Sequence, residues 1–190
     1  SLCGSPGEPC YRIAVLRLAD GRGGSREMHD LLRVGQRIEI GAPRNQFRMQ
    51  PAPRLLFVAG GIGITPILPM IERAQAESAD WRLVYGGRRR DGMAFLERLA
   101  AYPARRAALR SDDREGPIDI GAVLDASSGA QVYACGPAGM LDALEGAFAA
   151  AGRSRDLHLE RFGAAPSALP DDGTIRVFLA RTGGHVDVPP

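Results

Sequence analysis

The chain has 190 residues, of which 45% are hydrophobic and 24% charged, and its formal net charge at pH 7 is +2. This length and composition predict a soluble, globular protein with one large domain or two small ones. The charge is spread along the chain, which excludes the simple electrostatic signature of a nucleic-acid-binding protein. The sequence contains neither a long apolar run nor a signal-peptide pattern. We therefore expect a cytoplasmic protein that binds no membrane.

The cysteine content supports the same expectation of a cytoplasmic protein. The three cysteines, Cys3, Cys10 and Cys135, are too few and too scattered for a disulfide framework or a zinc site. The histidines are isolated from one another, so structural roles outrank metal ligation for them. The sequence predicts a reducing environment and no metal ligands in this chain.

The first fifty residues are predicted to form short β-strands. Residues 11–18 and 37–40 are rich in β-forming side chains, and a glycine-rich turn over residues 19–25 follows the first of them. Residues 28–34 are predicted to form a short helix. Short strands separated by such turns are typical of a barrel or a sandwich.

From residue 55 onward, short apolar runs alternate with helical stretches. The predicted strands cover residues 55–59, 81–85, 107–109, 130–134 and 157–161, and the predicted helices cover residues 66–77, 93–102, 117–125 and 137–151. Alternating strands and helices predict a parallel, doubly wound sheet.

The last part of the chain is predicted to begin another domain. Residues 163–173 have the Pro, Asp and small-residue content of a linker. Residues 174–179 form a predicted strand, and Gly183-Gly184 is a predicted hairpin turn.

A glycine-rich segment follows the first apolar strand and opens the first long helix. Its sequence gives the residues a phosphate-binding loop needs: Gly60, Gly61, Gly63, Ile64, Thr65 and Pro66. Glycines let backbone approach a phosphate, and a helix start offers N–H groups and a positive dipole end. The glycine spacing is not that of a Rossmann fingerprint, and a tight turn without a ligand is the alternative.

Further motifs occur along the chain, both before and after this loop. They are Tyr85-Gly86-Gly87-Arg88, Tyr133-Ala134-Cys135-Gly136-Pro137 and Glu160-Arg161-Phe162, preceded by Ser1-Leu2-Cys3-Gly4, Gly21-Arg22-Gly23-Gly24-Ser25, Met28-His29 and Pro43-Arg44-Asn45 with Phe47. Together they resemble the ferredoxin–NADP reductase superfamily and, within it, the phthalate dioxygenase reductase and vanillate demethylase reductase group. The resemblance covers nearly the whole chain.

The resemblance implies an α/β plus β architecture. Residues 1–52 would be the C-terminal part of an antiparallel FMN-binding β-barrel, and residues 53–163 an NAD(P)-binding α/β domain with a doubly wound parallel sheet. Residues 164–172 would be a linker, and residues 173–190 the start of a truncated [2Fe-2S] ferredoxin domain. The cysteines of this chain do not have the C-x4-C-x2-C spacing of plant-type clusters, so we expect no cluster on the chain as given.

The resemblance also assigns roles around the nicotinamide. Cys135, before Gly136-Pro137, would lie beside the reacting carbon of the nicotinamide, and Glu160 would hydrogen-bond near it. Phe162 would lie near the flavin ring. From the residues alone, Cys135 and Phe162 could be ordinary core side chains and Glu160 an exposed carboxylate.

The flavin contacts are implied for the N-terminal segment. Ser1 is the last residue of the family's Arg-x-Tyr-Ser flavin motif, and Leu2 follows it. Gly23, Gly24 and Ser25 would bind the FMN phosphate. A plain β-turn is the alternative for these three residues.

Two features bear on the choice of nucleotide. Tyr85 and Arg88 belong to the implied binding residues, and the arginines at 88–90 could hold a 2′-phosphate. Asp112 follows the third predicted strand, where a carboxylate can accept hydrogen bonds from ribose hydroxyls and repel a phosphate. We therefore favour NADH over NADPH, with NADPH the remaining possibility.

The resemblance implies a reductase component. Hydride would pass from NADH to FMN, and single electrons would pass through a [2Fe-2S] domain to a terminal oxygenase, of Rieske or haem type, that oxidises or demethylates an aromatic compound. Two alternatives stay open: a reductase module that serves a haem monooxygenase, and a nucleotide-binding regulatory module without electron transfer. The sequence does not indicate an oligomeric state.

Overall fold

A computed structural model describes residues 1–5, 7–19, 21 and 23–162, together with the backbone of residues 175–178 and 185–188. The strands are β1 Arg54–Gly60, β2 Asp80–Gly87, β3 Ala107–Ser111, β4 Gln131–Cys135, β5 Leu157–Glu160, β6 Ile175–Phe178 and β7 His185–Val188. The α-helices are α1 Gly24–Asp30, α2 Ile64–Ala76, α3 Leu96–Ala100, α4 Asp112–Glu115, α5 Ile120–Ala126 and α6 Ala138–Ala150. Short 3-10 helices cover Gly61–Gly63, Arg90–Gly92 and Ser154–Asp156.

Five strands form one parallel sheet in the order β3-β2-β1-β4-β5. After β3 the chain crosses to the other side of β1, so the strand order reverses between β1 and β4. This arrangement confirms the predicted parallel, doubly wound sheet of the nucleotide-binding domain.

The central strand β1 is continuously apolar because helices cover both faces of the sheet. All its residues after Arg54 are buried. On one face, a hydrophobic core joins α2 to the sheet through Ile64, Ile67 and Ile71. On the other face, Leu141 and Phe148 of α6 pack with Val123 of α5. The two cores fix which loops meet at each edge of the sheet.

Two helices begin later than predicted. The predicted helix at residues 93–102 is reduced to α3, because Met93 has an extended backbone and Phe95 a left-handed one with φ of 64°. The helix predicted from residue 117 begins at Ile120, because the Asp119 side chain caps it by accepting the N–H of Ala122 at 3.0 Å.

Residues 1–50 differ from the prediction. Residues 11–18 and 37–40 form no ladder, and the only pairing among the described residues of this segment is an isolated antiparallel bridge from Leu2 to Ile13. Their apolar side chains are exposed at Tyr11, Ile13, Leu16, Leu18, Ile38 and Ile40. A strand needs a hydrogen-bonded neighbour, so a strand-forming composition alone did not produce one.

The predicted helix at residues 28–34 is also displaced. It forms as α1, starting at Gly24, where the carbonyl of Gly23 accepts the N–H of Glu27 at 2.9 Å. Glu27 then lies in the first turn, where an acidic side chain suits the helix dipole.

The C-terminal residues contribute a backbone hairpin. Strand β6 confirms the strand predicted at residues 174–179, and it pairs antiparallel with β7. The predicted linker and the predicted turn at Gly183-Gly184 lie outside the described residues. Among the helices that the structure describes, none is long and apolar enough to cross a membrane.

Candidate functional site

The carboxyl ends of β1, β2 and β4 meet at one edge of the parallel sheet. Gly60 ends β1, Gly87 ends β2 and Cys135 ends β4. The strand order reverses between β1 and β4, and ligands of open α/β sheets bind in the crevice at such a reversal. The candidate site therefore lies where the glycine loop after β1 faces the loop after β4.

Three glycines at this crevice are required by packing between the two loops. A Cβ atom on Gly63 would lie 2.7 Å from the backbone nitrogen of Gly136, and one on Gly60 would lie 2.6 Å from Pro137. A Cβ atom on Gly136 would lie 3.0 Å from the backbone of Gly60. The sequence suggested that Gly60 and Gly63 let the backbone approach a phosphate, and the structure shows that both also make room for the loop after β4.

Gly61 differs from these three glycines. Its φ is +53°, and a Cβ atom there would meet no heavy atom within 4 Å. The N–H groups of the short 3-10 helix that starts at Gly61 have no partners within that helix. This is the part of the glycine loop where an anion can approach the backbone.

The residues after the glycines hold the loop from inside. Ile64, Thr65 and Pro66 are buried, and the Thr65 hydroxyl donates to the carbonyl of Ile62 at 2.9 Å. Their side chains therefore support the loop, and any contact they make with a ligand goes through the backbone.

Cys135 and Glu160 are neighbours at the ends of β4 and β5. Their Cα atoms are in register, and the Cys135 side chain is fully buried. Burial, and then the nearby Glu160 carboxylate, raise the pKa of the Cys135 thiol to about 12. Cys135 is therefore a neutral thiol near pH 7, unlike the lowered-pKa cysteines that act as nucleophiles.

The Glu160 carboxyl is half-buried. Burial raises its pKa, against a smaller lowering effect of the Ser1 side chain beside it. Its Oε2 atom is buried without a hydrogen-bond partner among the described residues. A buried acceptor without a partner carries an energetic cost, which a ligand that donates a hydrogen bond would relieve.

Phe162 and Leu2 present apolar surface in this region of the chain. Phe162 is 44% exposed and Leu2 39% exposed. Arg161, between Glu160 and Phe162, donates to Asp142 at 2.7 Å and to Glu145 at 2.8 Å on α6. No role was predicted for Arg161, although the two acidic residues three positions apart on one helix were a usable signal.

On the other side of the glycine loop, β2 and β3 end together. Gly87 is in register with Ser111, and the N–H of Asp113 bonds to the carbonyl of Arg88 at 3.3 Å. Arg88 and Asp112, both exposed, therefore share one end of the edge. Arg89 is paired with Asp91 at 2.9 Å.

Tyr85 has a different surrounding from the one the sequence suggested. Its side chain is fully buried, and its hydroxyl donates to the carbonyl of Ala94 at 3.3 Å. Burial raises its pKa to about 12, with a smaller lowering effect of that hydrogen bond. The geometry gives Tyr85 a packing role below the edge.

Gly23, Gly24 and Ser25 lie at the start of α1. Gly23 has a φ of +101°, and Cβ atoms on Gly23 or Gly24 would meet nothing within 4 Å. The Ser25 hydroxyl oxygen accepts the N–H of Leu18 at 3.1 Å and keeps its own proton to donate. The segment is open enough for an anion.

The nucleotide-binding part has a known relative in sequence. Residues 57–146 match the family model described as an oxidoreductase NAD-binding domain. The chain is 42% identical to the vanillate O-demethylase oxidoreductase of Pseudomonas putida, in an alignment that covers 100% of this chain and 62% of the relative. The chain is thus similar to vanillate O-demethylase oxidoreductases along its whole length and contains an oxidoreductase NAD-binding domain. This similarity confirms the predicted resemblance and the oxidoreductase class.

The chain is also similar to another curated protein and to a solved structure. The chain is 39% identical to the phenoxybenzoate dioxygenase subunit beta of Ectopseudomonas oleovorans, over 94% of this chain and 56% of that protein. The chain thus spans 56% to 62% of the length of these two curated relatives. A crystal structure of an intact type IV self-sufficient cytochrome P450 monooxygenase matches with a TM-score of 0.83 and 38% identity, over 100% of this chain and 25% of that one.

Proposed function

We propose that this chain belongs to a reductase that transfers hydride from NADH to FMN and then single electrons, through a [2Fe-2S] domain, to a terminal oxygenase. The observation that carries the proposal is the pair Cys135 and Glu160, in register at the strand-order reversal beside the glycine loop. We propose oxidation or demethylation of an aromatic compound as the process served, and a cytoplasmic location.

In this proposal, the β4–β5 side of the edge holds the nicotinamide. The buried, neutral thiol of Cys135 supports the backbone of Gly136 and Pro137 from below, and this backbone shapes a surface against which a flat ring can be oriented. The unpartnered Oε2 of Glu160 accepts an N–H, and the carboxamide of nicotinamide offers that donor. No strong acid or base is needed, because a hydride moves without a proton.

The flavin is assigned to the N-terminal segment and Phe162. Ser1 and Leu2 lie on the Glu160 side, and Gly23, Gly24 and Ser25 are open to a phosphate. A bound flavin supplies an acceptor for hydride that can release its two electrons singly. The described residues fit this group, since open glycine backbone and a hydroxyl donor suit a phosphate.

The domain boundaries remain part of the proposal. We assign residues 1–52 to the FMN-binding barrel, residues 53–163 to nucleotide binding, residues 164–172 to a linker and residues 173–190 to the start of a ferredoxin domain. The exposed apolar side chains of residues 11–40 support the first assignment, because such surface is normally covered. In the described part of the chain, no group of three His, Cys, Asp or Glu residues could hold a metal ion.

A second candidate function is a reductase module that serves a haem monooxygenase. The 38% identity to a self-sufficient cytochrome P450 monooxygenase over the whole chain favours it. It shares the nicotinamide and flavin steps with the first candidate and differs in the final acceptor. The regulatory alternative lacks electron transfer altogether.

The full-length protein tests these candidates by its visible spectrum under anaerobic conditions. We expect a flavin absorption band at about 450 nm that bleaches when NADH is added and bleaches more slowly with NADPH. A colourless protein whose spectrum ignores both nucleotides contradicts the proposal and leaves the regulatory alternative. Mixing the reduced protein with a Rieske oxygenase or with a cytochrome P450 then distinguishes the acceptors by which of the two is reduced.

A further inference from the structure

At the end of β3, a carboxylate occupies the hydrogen-bond donors of a buried serine. Oε2 of Glu115 accepts the backbone N–H of Ser111 at 2.7 Å and lies 3.3 Å from its hydroxyl oxygen. Ser111 is fully buried, whereas Glu115 is exposed. Two donors that converge on one oxygen are an arrangement that also suits an oxygen of a phosphate group.

Arginine side chains lie near Glu115. The guanidinium of Arg110 donates to the Glu115 carbonyl at 3.0 Å. The hydrogen bond from the Ser111 N–H chiefly lowers the pKa of Glu115, with smaller contributions from the charges of Arg114 and Arg90. Glu115 is therefore an anion near neutral pH, and the charges of Arg114 and Arg90 act on its carboxylate.

The position of these groups follows from the strand order. A dinucleotide whose pyrophosphate meets the loop after β1 and whose nicotinamide lies at β4–β5 must extend its adenosine toward β2 and β3. Adjacent strands are about 4.8 Å apart, so the end of β3 lies about 10 Å from that of β1. The adenosine ribose then falls near Arg88, Ser111 and Asp112.

We propose that Glu115 is a specificity-determining residue that excludes NADPH by occupying, with its own carboxylate, the donors that a ribose 2′-phosphate would use. This inference rests on the proposed function, because it assumes that a dinucleotide crosses this edge. It differs from the role assigned to Asp112, which repels a phosphate by charge alone. Glu115 both repels the phosphate and fills its hydrogen-bonding position.

The test uses the full-length protein and two probes, 5′-AMP and 2′,5′-ADP, with affinities measured by isothermal titration calorimetry. In Glu115→Ala, the affinity for 2′,5′-ADP should rise about five- to tenfold, because the Ser111 donors and nearby arginines become available. The affinity for 5′-AMP should stay within about twofold. In Glu115→Gln the rise should be smaller, about threefold, because the amide oxygen still accepts from Ser111.

Asp125→Asn is the matched control for loss of one negative charge. Asp125 is exposed at the end of α5, next to Ala126, which lies by the opposite, amino edge of the sheet. Its affinities should equal those of the unchanged protein. An equal gain for 2′,5′-ADP in this control would mean that net charge, and not Glu115, sets the preference, which would overturn the inference.

The remaining outcomes distinguish a failure of this inference from a failure of the proposed function. If the unchanged protein binds 5′-AMP and both Glu115 variants keep its ratio of affinities, the inference is wrong while the proposed function stands. If the unchanged protein binds neither probe nor NADH, the proposed function itself fails. Should Glu115→Ala not fold, Glu115→Gln decides, since it keeps the hydrogen bond and removes only the charge.

Discussion

The two sides of the sheet's carboxyl edge differ in burial and in charge. On the β4–β5 side, Cys135 is buried and neutral and Glu160 is half-buried with a raised pKa. On the β2–β3 side, Arg88, Asp112 and Glu115 are exposed and charged. Burial suits the orientation of an uncharged ring, and exposed charge suits a choice between ligands that differ by one phosphate. The two tasks can therefore be changed separately.

The largest effect is expected where the two sides are joined. In Gly63→Ala, a Cβ atom would enter the backbone of Cys135 and Gly136, which cannot move aside as a side chain can. The free energy of unfolding should fall by about 3 kcal/mol or more. Urea unfolding followed by circular dichroism measures this loss.

Gly139→Ala is the matched control for that variant. Gly139 lies in α6, and a Cβ atom there meets nothing within 4 Å. Alanine should leave stability unchanged or raise it by up to about 1 kcal/mol. If both variants behave alike, the packing of the two loops is not what requires Gly63.

Removing the thiol should affect the β4–β5 side alone. Cys135→Ala is expected to slow anaerobic flavin reduction by NADH about 10- to 100-fold, because the backbone that orients the nicotinamide loses the side chain that supports it. The affinity for 5′-AMP should not change. Stopped-flow absorbance gives the rate, and Cys10→Ser, at an exposed cysteine, is the control. An unchanged rate in Cys135→Ala would remove Cys135 from the reacting centre.

A change of charge should affect the β2–β3 side alone. Asp112→Arg is expected to shift the ratio of kcat/KM values toward NADPH by about tenfold, because a guanidinium attracts the 2′-phosphate that a carboxylate repels. The maximal rate of flavin reduction should be retained. If the ratio does not move, Asp112 does not contact the ribose.

The smallest effect is expected in the pH dependence of stability. The pKa of Glu160 is raised above its ordinary value of 4.5, so its contribution to stability is fully present below pH 4.5 and is lost as the pH rises through the folded-state pKa. Glu160→Gln should therefore gain stability relative to the unchanged protein over that rise. Half-burial limits the size of the gain.

Thermal unfolding between pH 4 and pH 8, at about one-unit steps, measures this difference. The two melting curves should approach each other at the acidic end and separate toward neutral pH. A constant offset at every pH would show that Glu160 does not titrate differently in the folded chain.

The sheet was predictable because burial on both faces leaves an uninterrupted apolar run such as 55–59. The family resemblance brought Cys135 and Glu160 together, and in the structure each ends a strand at the same edge. The conformation of residues 11–18 could not be predicted from the sequence, because strand formation depends on a hydrogen-bonded partner that composition does not supply. Likewise, the left-handed backbone of Phe95 shortens the helix that the sequence pattern predicts at residues 93–102.

The contact between Glu115 and Ser111 could also not be predicted from the sequence. It depends on how the single turn of α4 folds back on the end of β3, and four-residue spacing alone does not fix this geometry. The packing role of the crevice glycines could not be predicted for a related reason. A glycine pattern shows that a Cβ atom is excluded, but only the fold shows whether a ligand or another loop excludes it.

The ion pairs of Arg161 have a mechanical consequence. Strand β5 has four residues and lies at the edge of the sheet, so that among the described strands it forms ladder bonds with β4 alone. Arg161 fastens the next residue to two carboxylates of α6, and tension arriving from beyond residue 162 is borne by that helix before it reaches Glu160. These pairs are partly exposed, so the anchorage loosens as ionic strength increases.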